Sequence, residues 1–394
     1  MLTRMPYQEL RESFRWNLPE RPNMAEQVCD NWAARDPDRV AIIDLTGERR
    51  DYTYGEMRQM ADCLALYLIE RGVQRGDRVG VLLSQGVWCP VAHIAIWKIG
   101  AISVPLFKLF RQDALTSRVL DAGAAFVITD DEGADMMRVL PQVEPLIDDV
   151  LDLPRGIITT VDTTPETPAV LIYTSGTTGS AKGALHGHRV LTGHLQGTEL
   201  YSGFLGQDGD CLWTPADWAW IGGLFNVMMP GLALGVPVVA ARMAKFTVEG
   251  CQRIVAKADV RNVFFPPTVL RMIKAEGARV EGLRTIGSGG EPLGAEMLDW
   301  GREAFGLTIN EFYGQTECNL VACSCAELFE PKPGCIGRVV PGHEVEVIDG
   351  TGAPTGGEGD VAVRRGSASM MLEYWNRPKQ IEEKFRGAWM LTGA

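Results

Sequence analysis

The chain has 394 residues, of which 46% are hydrophobic and 22% are charged, and its formal net charge is −12. This length exceeds that of one small domain, and the composition is typical of a globular protein with a large core. The acidic balance argues against nucleic acid or an anionic membrane surface as a partner, because both bind to a basic protein face.

The first twenty residues carry several charged side chains and no apolar stretch, so a signal peptide is not expected. Nine cysteines, an odd number, then predict reduced thiols and a cytoplasmic location. Four of them fall close together, which raises the alternative of a zinc site. They lack paired C-x2-C spacing, and the nearest histidine is His343, so buried structural cysteines are the better interpretation. The four are Cys318, Cys323, Cys325 and Cys335.

Helices and apolar strands alternate along the first 330 residues. The segment Gly55–Glu70 has the apolar period of a helix, and a turn then leads into the strand Arg78–Leu83. Continuous apolar strands separated by helices form parallel sheets that are covered on both faces, so we predict an α/β fold. The further predicted strands are Ala124–Ile128, Ala169–Tyr173, Pro237–Ala241, Asn262–Phe265, Thr285–Gly287 and Thr308–Phe312, and the further helices are Thr268–Glu276 and Gly294–Phe305.

The most hydrophobic stretch runs from Ile221 to Arg242 and has nearly the length of a membrane span. Asn226, Pro230 and Pro237 interrupt it, so we predict a buried helix, a turn and a buried strand. After Pro331 the pattern changes to short antiparallel strands, which are separated by glycine-rich turns. The two clearest are Val345–Ile348 and Asp360–Val363.

The strongest local signal is the segment Tyr173–Gly183, which follows an apolar strand and is expected to precede a helix. Its glycines allow close approach of the backbone to a ligand, its hydroxyl groups are donors, and Lys182 adds a positive charge. This combination suits a polyphosphate. The spacing is not that of a Walker A loop. A flexible surface loop is the alternative.

Two further segments follow strands whose carboxyl ends are expected to meet at one sheet edge. In Asn310–Glu317, Glu317 offers a hard oxygen for Mg²⁺, Thr316 a hydroxyl for a phosphate, and Tyr313 or Phe312 a flat face for a base. A helix N-cap would explain the Thr-Glu pair equally well. The segment Gly287–Pro292 predicts either a turn that contacts adenine or a plain strand-to-helix connection.

Together, Tyr173–Gly183 and Tyr313–Glu317 resemble the two most specific motifs of the adenylate-forming superfamily of acyl- and aryl-CoA synthetases, luciferases and peptide-synthetase adenylation domains. The resemblance covers nearly the whole chain. It implies two doubly wound, mostly parallel subdomains, at about 20–185 and 186–330, followed by a small antiparallel β-barrel at about 331–394.

The resemblance also implies roles for individual residues. Lys182, Thr316 and Glu317 would be catalytic, and Glu317 would bind Mg²⁺. His186 and His188 follow the phosphate segment. They could contact phosphate, or they could be surface or helix-packing residues. The ATP-binding residues would be Thr174, Ser175, Gly176, Thr177, Thr178, Gly179, Ser180, Lys182, Gly290, Glu291, Pro292, Glu311, Phe312, Tyr313, Gly314, Gln315 and Thr316.

Within the superfamily, the segment Thr214–Trp220 looks most like that of medium-chain acyl-CoA synthetases. Its tryptophans and small number of charges suit an apolar medium-chain or aryl acid, although core packing is an alternative for each tryptophan. Asp217 raises amino-acid activation as a further alternative, but the sequence context typical of that activity is missing. The acid-binding residues would be Trp218, Trp220, Gly222, Gly289 and Gly314.

The implied reaction converts a carboxylic acid and ATP to an acyl-AMP, which the thiolate of coenzyme A then attacks. The segment Gly387–Gly393 resembles the stretch that leads to a ribose-binding aspartate, and Ala394 stands in its place. The resemblance predicts a hinge and a smaller domain after this point. We therefore expect these 394 residues to bind nucleotide and to adenylate weakly. The alternatives are an inactive nucleotide or acyl-adenylate binding module and a kinase-like or P-loop ATPase.

Overall fold

Twenty strands and thirteen α-helices occur in the computed structural model, which describes residues 1–140, 143–147, 153–174 and 181–394. The strands are β1 Val40–Asp44, β2 Arg50–Thr53, β3 Arg78–Leu82, β4 Ile102–Pro105, β5 Phe126–Thr129, β6 Glu144–Ile147, β7 Pro168–Tyr173, β8 Gly183–Gly187, β9 Leu212–Trp213, β10 Val238–Ala240, β11 Asn262–Phe264, β12 Thr285–Gly289, β13 Ile309–Tyr313, β14 Ala322–Cys323, β15 Arg338–Val339, β16 Val345–Ile348, β17 Asp360–Arg364, β18 Glu373–Tyr374, β19 Phe385–Arg386 and β20 Trp389–Leu391.

The helices connect these strands and cover the sheets. They are α1 Tyr7–Ser13, α2 Asn31–Arg35, α3 Tyr54–Glu70, α4 Trp88–Lys98, α5 Gln112–Ala122, α6 Asp131–Met137, α7 Val190–Tyr201, α8 Ile221–Gly223, α9 Met229–Leu234, α10 Val248–Ala258, α11 Pro267–Ala275, α12 Glu296–Phe305 and α13 Pro378–Glu383, with π-helical turns at Glu26–Asp30 and Leu224–Met228. The longest, α3, begins at a capping box. The Thr53 side chain accepts a hydrogen bond from the Glu56 amide, and Glu56 accepts one from the Thr53 amide.

The first sheet has seven strands in the order β18-β8-β7-β4-β3-β5-β6. The strands from β7 to β6 are parallel, whereas β8 pairs antiparallel with both β7 and β18. The strand β18 comes from a distant part of the chain. Residues near 373 therefore lie beside the start of β8, where the glycine-rich segment ends.

The second sheet has nine strands in the order β15-β14-β13-β12-β11-β9-β10-β1-β2. It is parallel from β13 to β1 and has antiparallel strands at both edges. Because β1 and β2 belong to it, the span of about residues 20–185 contributes strands to both sheets. The largest buried cluster also contains residues of both sheets, such as Val81 and Phe264, so the two sheets share one core.

The α/β fold is confirmed, and one part of the prediction is wrong. The C-terminal segment forms an open four-stranded antiparallel sheet, in the order β16-β17-β20-β19, and not a closed barrel. Closure would require hydrogen bonds between the edge strands β16 and β19. In the part of the chain that the structure describes, β19 pairs only with β20, and β16 pairs with β17 and, through an isolated bridge at Ile348, with Pro354.

The apolar stretch from Ile221 is helical to Leu234, ends at Gly235 with a positive φ of 72°, and continues as the buried strand β10, as predicted. Among the described residues, no helix combines the length and the hydropathy that crossing a membrane would require. The cysteine prediction holds for Cys318, Cys323 and Cys325, which are buried, and is wrong for Cys335, which is exposed.

Candidate functional site

The Tyr173–Gly183 segment connects the antiparallel strands β7 and β8, with Tyr173 opposite Gly183. The prediction of a helix directly after this segment is wrong. Gly183–Gly187 forms β8 between two neighbouring strands, and α7 begins only at Val190. The Thr174 amide donates to the Lys182 carbonyl at 2.9 Å, which closes the base of the hairpin. The predicted phosphate-binding residues Ser175, Gly176, Thr177, Thr178, Gly179 and Ser180 lie outside the described residues.

The end of β13 leads into a turn and not into a helix. The Gln315 carbonyl accepts from the amides of Cys318 and Asn319, at 3.2 and 2.6 Å, and the chain then enters the short strand β14. The N-cap alternative for Thr316 and Glu317 therefore has no helix to cap. A Cβ at Gly314 would lie 2.0 Å from the Leu320 amide nitrogen, so the close return of the chain requires glycine at that position.

The Glu317 carboxylate is nearly buried, and two side chains hold one of its oxygens. The Tyr374 hydroxyl donates to its Oε1 atom at 2.5 Å, and the Lys384 Nζ atom lies 3.9 Å from the same oxygen. Burial and the neighbouring carboxylate both raise the pKa of Tyr374, so its hydroxyl stays protonated and acts as the donor. The Lys182 ammonium lies 5.4 Å from the centre of the Tyr374 ring.

These groups line one open cavity of about 540 Å³. Lys182 and Thr174 reach it from the β7–β8 connection, and Thr316 and Glu317 reach it from the turn after β13. The structure thus brings the three predicted catalytic residues together. The complete described lining is Ile172, Tyr173, Thr174, Lys182, Trp220, Ile221, Gln315, Thr316, Glu317, Tyr374, Gln380, Glu383, Lys384 and Thr392.

Sequence reasoning assigned no site role to the lining residues between 374 and 384, because the segment from 370 to 386 carries no recognisable motif. Its position depends on tertiary contacts around Asp121. That carboxylate accepts from the Tyr173 hydroxyl at 2.8 Å and pairs with Arg377 at 2.7 Å, while the Trp375 indole donates to the Asp121 carbonyl at 3.0 Å. A two-residue strand such as β18 gives no periodicity from which its neighbour could be predicted.

A second cavity, of about 420 Å³, lies between the loop after β12 and the end of β13. The predicted adenine-contacting residues Gly290, Glu291 and Pro292 line it, together with the segment 311–314. The Glu311 carboxylate accepts from the Leu293 amide at 3.0 Å and so ties the two walls together. The Gly287–Pro292 segment is part of a strand-to-helix connection and also lines a cavity, so its two predicted roles are compatible.

The histidines after the glycine-rich segment are completely buried and not on the surface. Burial lowers the pKa of His186 and of His188 to about 3, so both rings are neutral. The His188 Nδ1 atom accepts from the Met24 amide at 3.0 Å. Their burial supports the packing alternative for both residues.

The two tryptophans have different environments. Trp218 is completely buried in the shared core, which supports the packing alternative for this side chain. Trp220 is 39% exposed, lines the Lys182 cavity, and also lines a neighbouring cavity of about 320 Å³. Of these two cavities, Asp217 lines only the one of about 320 Å³. Its Oδ1 atom accepts from the Ala219 amide at 2.8 Å, and burial raises its pKa.

The donor set around Glu317 fits a magnesium ion that is shared with phosphate. The Tyr374 bond and the lysine occupy one side of the carboxylate, and no hydrogen bond from the described residues reaches its Oε2 atom. Within the described ranges no group of three or more His, Cys, Asp or Glu side chains could hold a metal. A single carboxylate that completes its coordination with phosphate oxygens and water is typical of Mg²⁺.

Comparison with known proteins gives a consistent result. The profile of the AMP-binding enzyme family matches residues 29–375. An acetyl-coenzyme A synthetase of Penicillium chrysogenum is 29% identical over 94% of this chain and 63% of its own length. An uncharacterized acyl-CoA ligase of Bacillus subtilis is 27% identical over 95% of this chain and 74% of its own. The chain thus spans about two thirds to three quarters of these relatives.

Solved structures share the fold. The crystal structure of an acyl-CoA synthetase from Brucella canis superposes with a TM-score of 0.87, at 25% identity over 98% of this chain and 77% of that one. An anthranilate CoA ligase in complex with anthranoyl-AMP superposes with a TM-score of 0.86, at 22% identity over 96% of this chain and 75% of that one.

Proposed function

The chain belongs to the AMP-binding enzyme family, and we propose that its site activates an apolar carboxylic acid with ATP and supports transfer of the acyl group to coenzyme A. One observation carries the proposal. Lys182 on the β7–β8 connection and Glu317 on the turn after β13 line the same cavity, although 135 positions separate them in sequence. A cation and a carboxylate held on facing loops suit a metal-bound polyphosphate.

The first step is attack by a carboxylate oxygen of the acid on the α-phosphorus of ATP. A new phosphorus–oxygen bond forms, the bond to the β-phosphate oxygen breaks, and pyrophosphate leaves. The difficulty is that an anion attacks a polyanion, so the site must offset negative charge by position and electrostatics. Mg²⁺, held by Glu317 and by phosphate oxygens, would supply part of that positive charge.

The protein supplies the remaining stabilisation of the negative charge through groups that are fixed before the substrates bind. Strand pairing at the base of the hairpin fixes the Lys182 backbone, and we assign its ammonium to the phosphates. The Thr316 hydroxyl would donate to the α-phosphate from a turn closed by the Gln315 carbonyl. The Tyr374 hydroxyl holds the Glu317 carboxylate in one orientation. Such preorganisation lowers the barrier without a covalent intermediate on the enzyme.

We assign the adenine to the cavity beside Gly290, where the loop after β12 and the segment 311–314 form two walls. Gly290 has a φ of 94°, and no atom lies within 4 Å of the position its Cβ would take, so a flat base can approach the backbone there. This cavity and the Lys182 cavity both lie next to the residues between Tyr313 and Gln315, which suits a ligand with a base at one end and phosphates at the other.

In the second step the thiolate of coenzyme A would attack the acyl carbon, and AMP would leave with the electron pair of the broken acyl–oxygen bond. This step requires no serine, cysteine or histidine nucleophile. The buried, neutral histidines agree with that requirement. Trp220, which is partly exposed between the Lys182 cavity and its neighbour, is suitably placed to border the path of the thiol.

A binding module without turnover would use the same residues, so the test must separate binding from chemistry. Binding is measured by the thermal shift that Mg·ATP and acyl-sulfamoyl adenosines produce, and chemistry by trapping the acyl group with hydroxylamine and by assaying pyrophosphate. We expect both ligands to raise the melting temperature, and pyrophosphate to form only when acid is present, even at a low rate. Release of inorganic phosphate without acid would instead indicate an ATPase. Binding without any acyl hydroxamate would indicate the module.

A further inference from the structure

Three aromatic rings pack together on the side of the nine-stranded sheet that faces α7. Tyr201 comes from α7, Phe264 from β11 and Phe312 from β13. The Tyr201 and Phe312 rings are stacked, with their centres 4.6 Å apart and an interplanar angle of 27°, and the Phe264 and Phe312 centres lie 5.1 Å apart. Tyr201 is completely buried, and each phenylalanine is 6% exposed. We call these three residues the aromatic plug.

The plug fills space that glycines leave open. A Cβ on Gly289 would lie 2.5 Å from the Phe312 ring, one on Gly287 would lie 2.3 Å from the Tyr201 ring, and one on Gly222 would lie 3.1 Å from the Phe264 ring. Each ring therefore rests directly on a glycine backbone. Two of these glycines, Gly222 and Gly289, are the positions at which the sequence predicts an acid-binding surface, and the structure places rings against both.

Hydrogen bonds fix the Tyr201 member of the plug in place. The Tyr201 hydroxyl donates to the Asn226 carbonyl in the π-helical turn. The Tyr201 carbonyl accepts from the Asn310 side chain at 2.7 Å, and the Asn319 side chain donates to the Asn226 side-chain oxygen at 2.6 Å. Moving the tyrosine ring would leave buried polar groups without partners, which is costly. A ligand consequently cannot gain room here by a simple rotation of the Tyr201 ring.

Phe312 also lines the cavity beside Gly290 that we assign to adenine. On the basis of the proposed function, we infer that the plug closes the acid end of the site next to that cavity and that the substrate is a short aliphatic acid such as acetate, propionate or butyrate. A longer chain or a benzoyl ring would have to displace Phe312, and overfilling a packed core is unfavourable. The plug therefore narrows the range of substrates from the apolar acids predicted from sequence to short acids. It excludes medium-chain and aryl acids.

The test is a calorimetric titration with acyl-sulfamoyl adenosines that carry acetyl, propionyl, butyryl, hexanoyl or benzoyl groups. Since one extra methylene group in a fitted pocket changes discrimination by about tenfold or more, we expect wild type to bind the hexanoyl and benzoyl analogues at least ~10-fold more weakly than the acetyl analogue. In Phe312→Ala the ratio of hexanoyl to acetyl affinity should rise at least ~10-fold. Phe312→Leu, which removes less volume and folds more readily, should give an intermediate ratio.

The matched control is Phe265→Ala. Phe265 is equally buried but packs against Trp213 in the core on the opposite face of the sheet. This variant loses the same side-chain volume and should keep the wild-type ratio of hexanoyl to acetyl affinity. A wild type that prefers the hexanoyl or benzoyl analogue would overturn the inference, as would folded Phe312 variants with an unchanged ratio. If no analogue and no Mg·ATP binds to any variant, the proposed function fails and the inference with it.

Discussion

The two ends of the site are built in opposite ways. The polar end, around Lys182 and Glu317, is assembled from loops that are far apart in sequence, and it remains an open cavity. The acid end, around Phe312, is formed by strands and a helix of one sheet, and rings fill it. Under the proposed function, long polar side chains in the open cavity would contact the charged part of the substrates, and the packed core would limit the size of the uncharged part.

The largest expected effect concerns the acid end. Phe312→Ala removes a ring that contacts two other rings and a glycine backbone, so we expect the free energy of unfolding to fall by about 3–5 kcal/mol. Denaturant titration measures this loss. A loss of less than ~1 kcal/mol would mean that the rings are not tightly packed, and the contrast between the two ends would not hold.

The next effect concerns the polar end. Lys182→Met keeps most of the side-chain length and removes the charge beside Glu317, so Mg·ATP binding should weaken on the order of 10²-fold. The unfolding free energy should change by less than ~0.5 kcal/mol, because the side chain lies in an open cavity. Lys379→Met, on the nearby helix α13, is the control and should bind as wild type does. Calorimetry that finds equal affinity in both variants would remove Lys182 from the phosphate site.

A third effect is a pH dependence of stability near the proposed acid-binding end of the site. Glu199 lies on α7, two positions before Tyr201, and burial raises its pKa to about 7 despite the nearby amino terminus. The folded state therefore favours the protonated carboxyl. Its contribution to stability is complete below about pH 4.5, decreases as the pH rises towards 7, and is then constant.

Glu199→Gln should remove this contribution. Between pH 4.5 and pH 7.5, the unfolding free energy of wild type should fall relative to that of the variant by at most about 3 kcal/mol. Urea titrations at several pH values measure it. A difference that is constant with pH would show that the carboxyl titrates normally and that this end of α7 is open to water.

The smallest effect returns to the polar end. Tyr374→Phe removes the hydroxyl that orients the Glu317 carboxylate and leaves the ring in place. Mg·ATP affinity should fall by roughly 10-fold, near the lower limit for the loss of one hydrogen bond to a charged group, because the hydroxyl acts through the carboxylate. Tyr67→Phe, whose hydroxyl lies on another helix, should have no effect. An unchanged affinity in Tyr374→Phe would mean that the carboxylate is positioned by the backbone of its turn alone.

Sequence reasoning succeeded where the signal was local. The hydrophobic period of α3, the positions of the buried strands and the interrupted stretch after Ile221 all follow from short-range patterns, and the structure has them. Thr316 and Glu317 could be singled out with Lys182 because both segments resemble family motifs. The cavity then brings these three residues together.

Sequence reasoning failed where the outcome depends on distant partners. The helix expected after Lys182 is the strand β8, because β7 and β18 offer hydrogen bonds on both of its sides. Tyr374 and Lys384 were not found, since only tertiary contacts bring their segment to Glu317. Trp218 is core and Trp220 is exposed, a difference that the spacing of two residues in an irregular segment does not determine.

The most direct test of the central claim is a competition experiment. The claim is that one ligand site extends from the cavity beside Gly290 to the Lys182–Glu317 cavity and accepts a short acyl group where they meet. We predict that acetyl-sulfamoyl adenosine binds to a single site on the 394-residue chain, that Mg·ATP displaces it competitively, and that a saturating amount at a hundredfold over its Kd stabilises the fold by about 2.7 kcal/mol. A cooperatively folded chain that binds the analogue without competition from Mg·ATP, or that binds neither, would contradict the account.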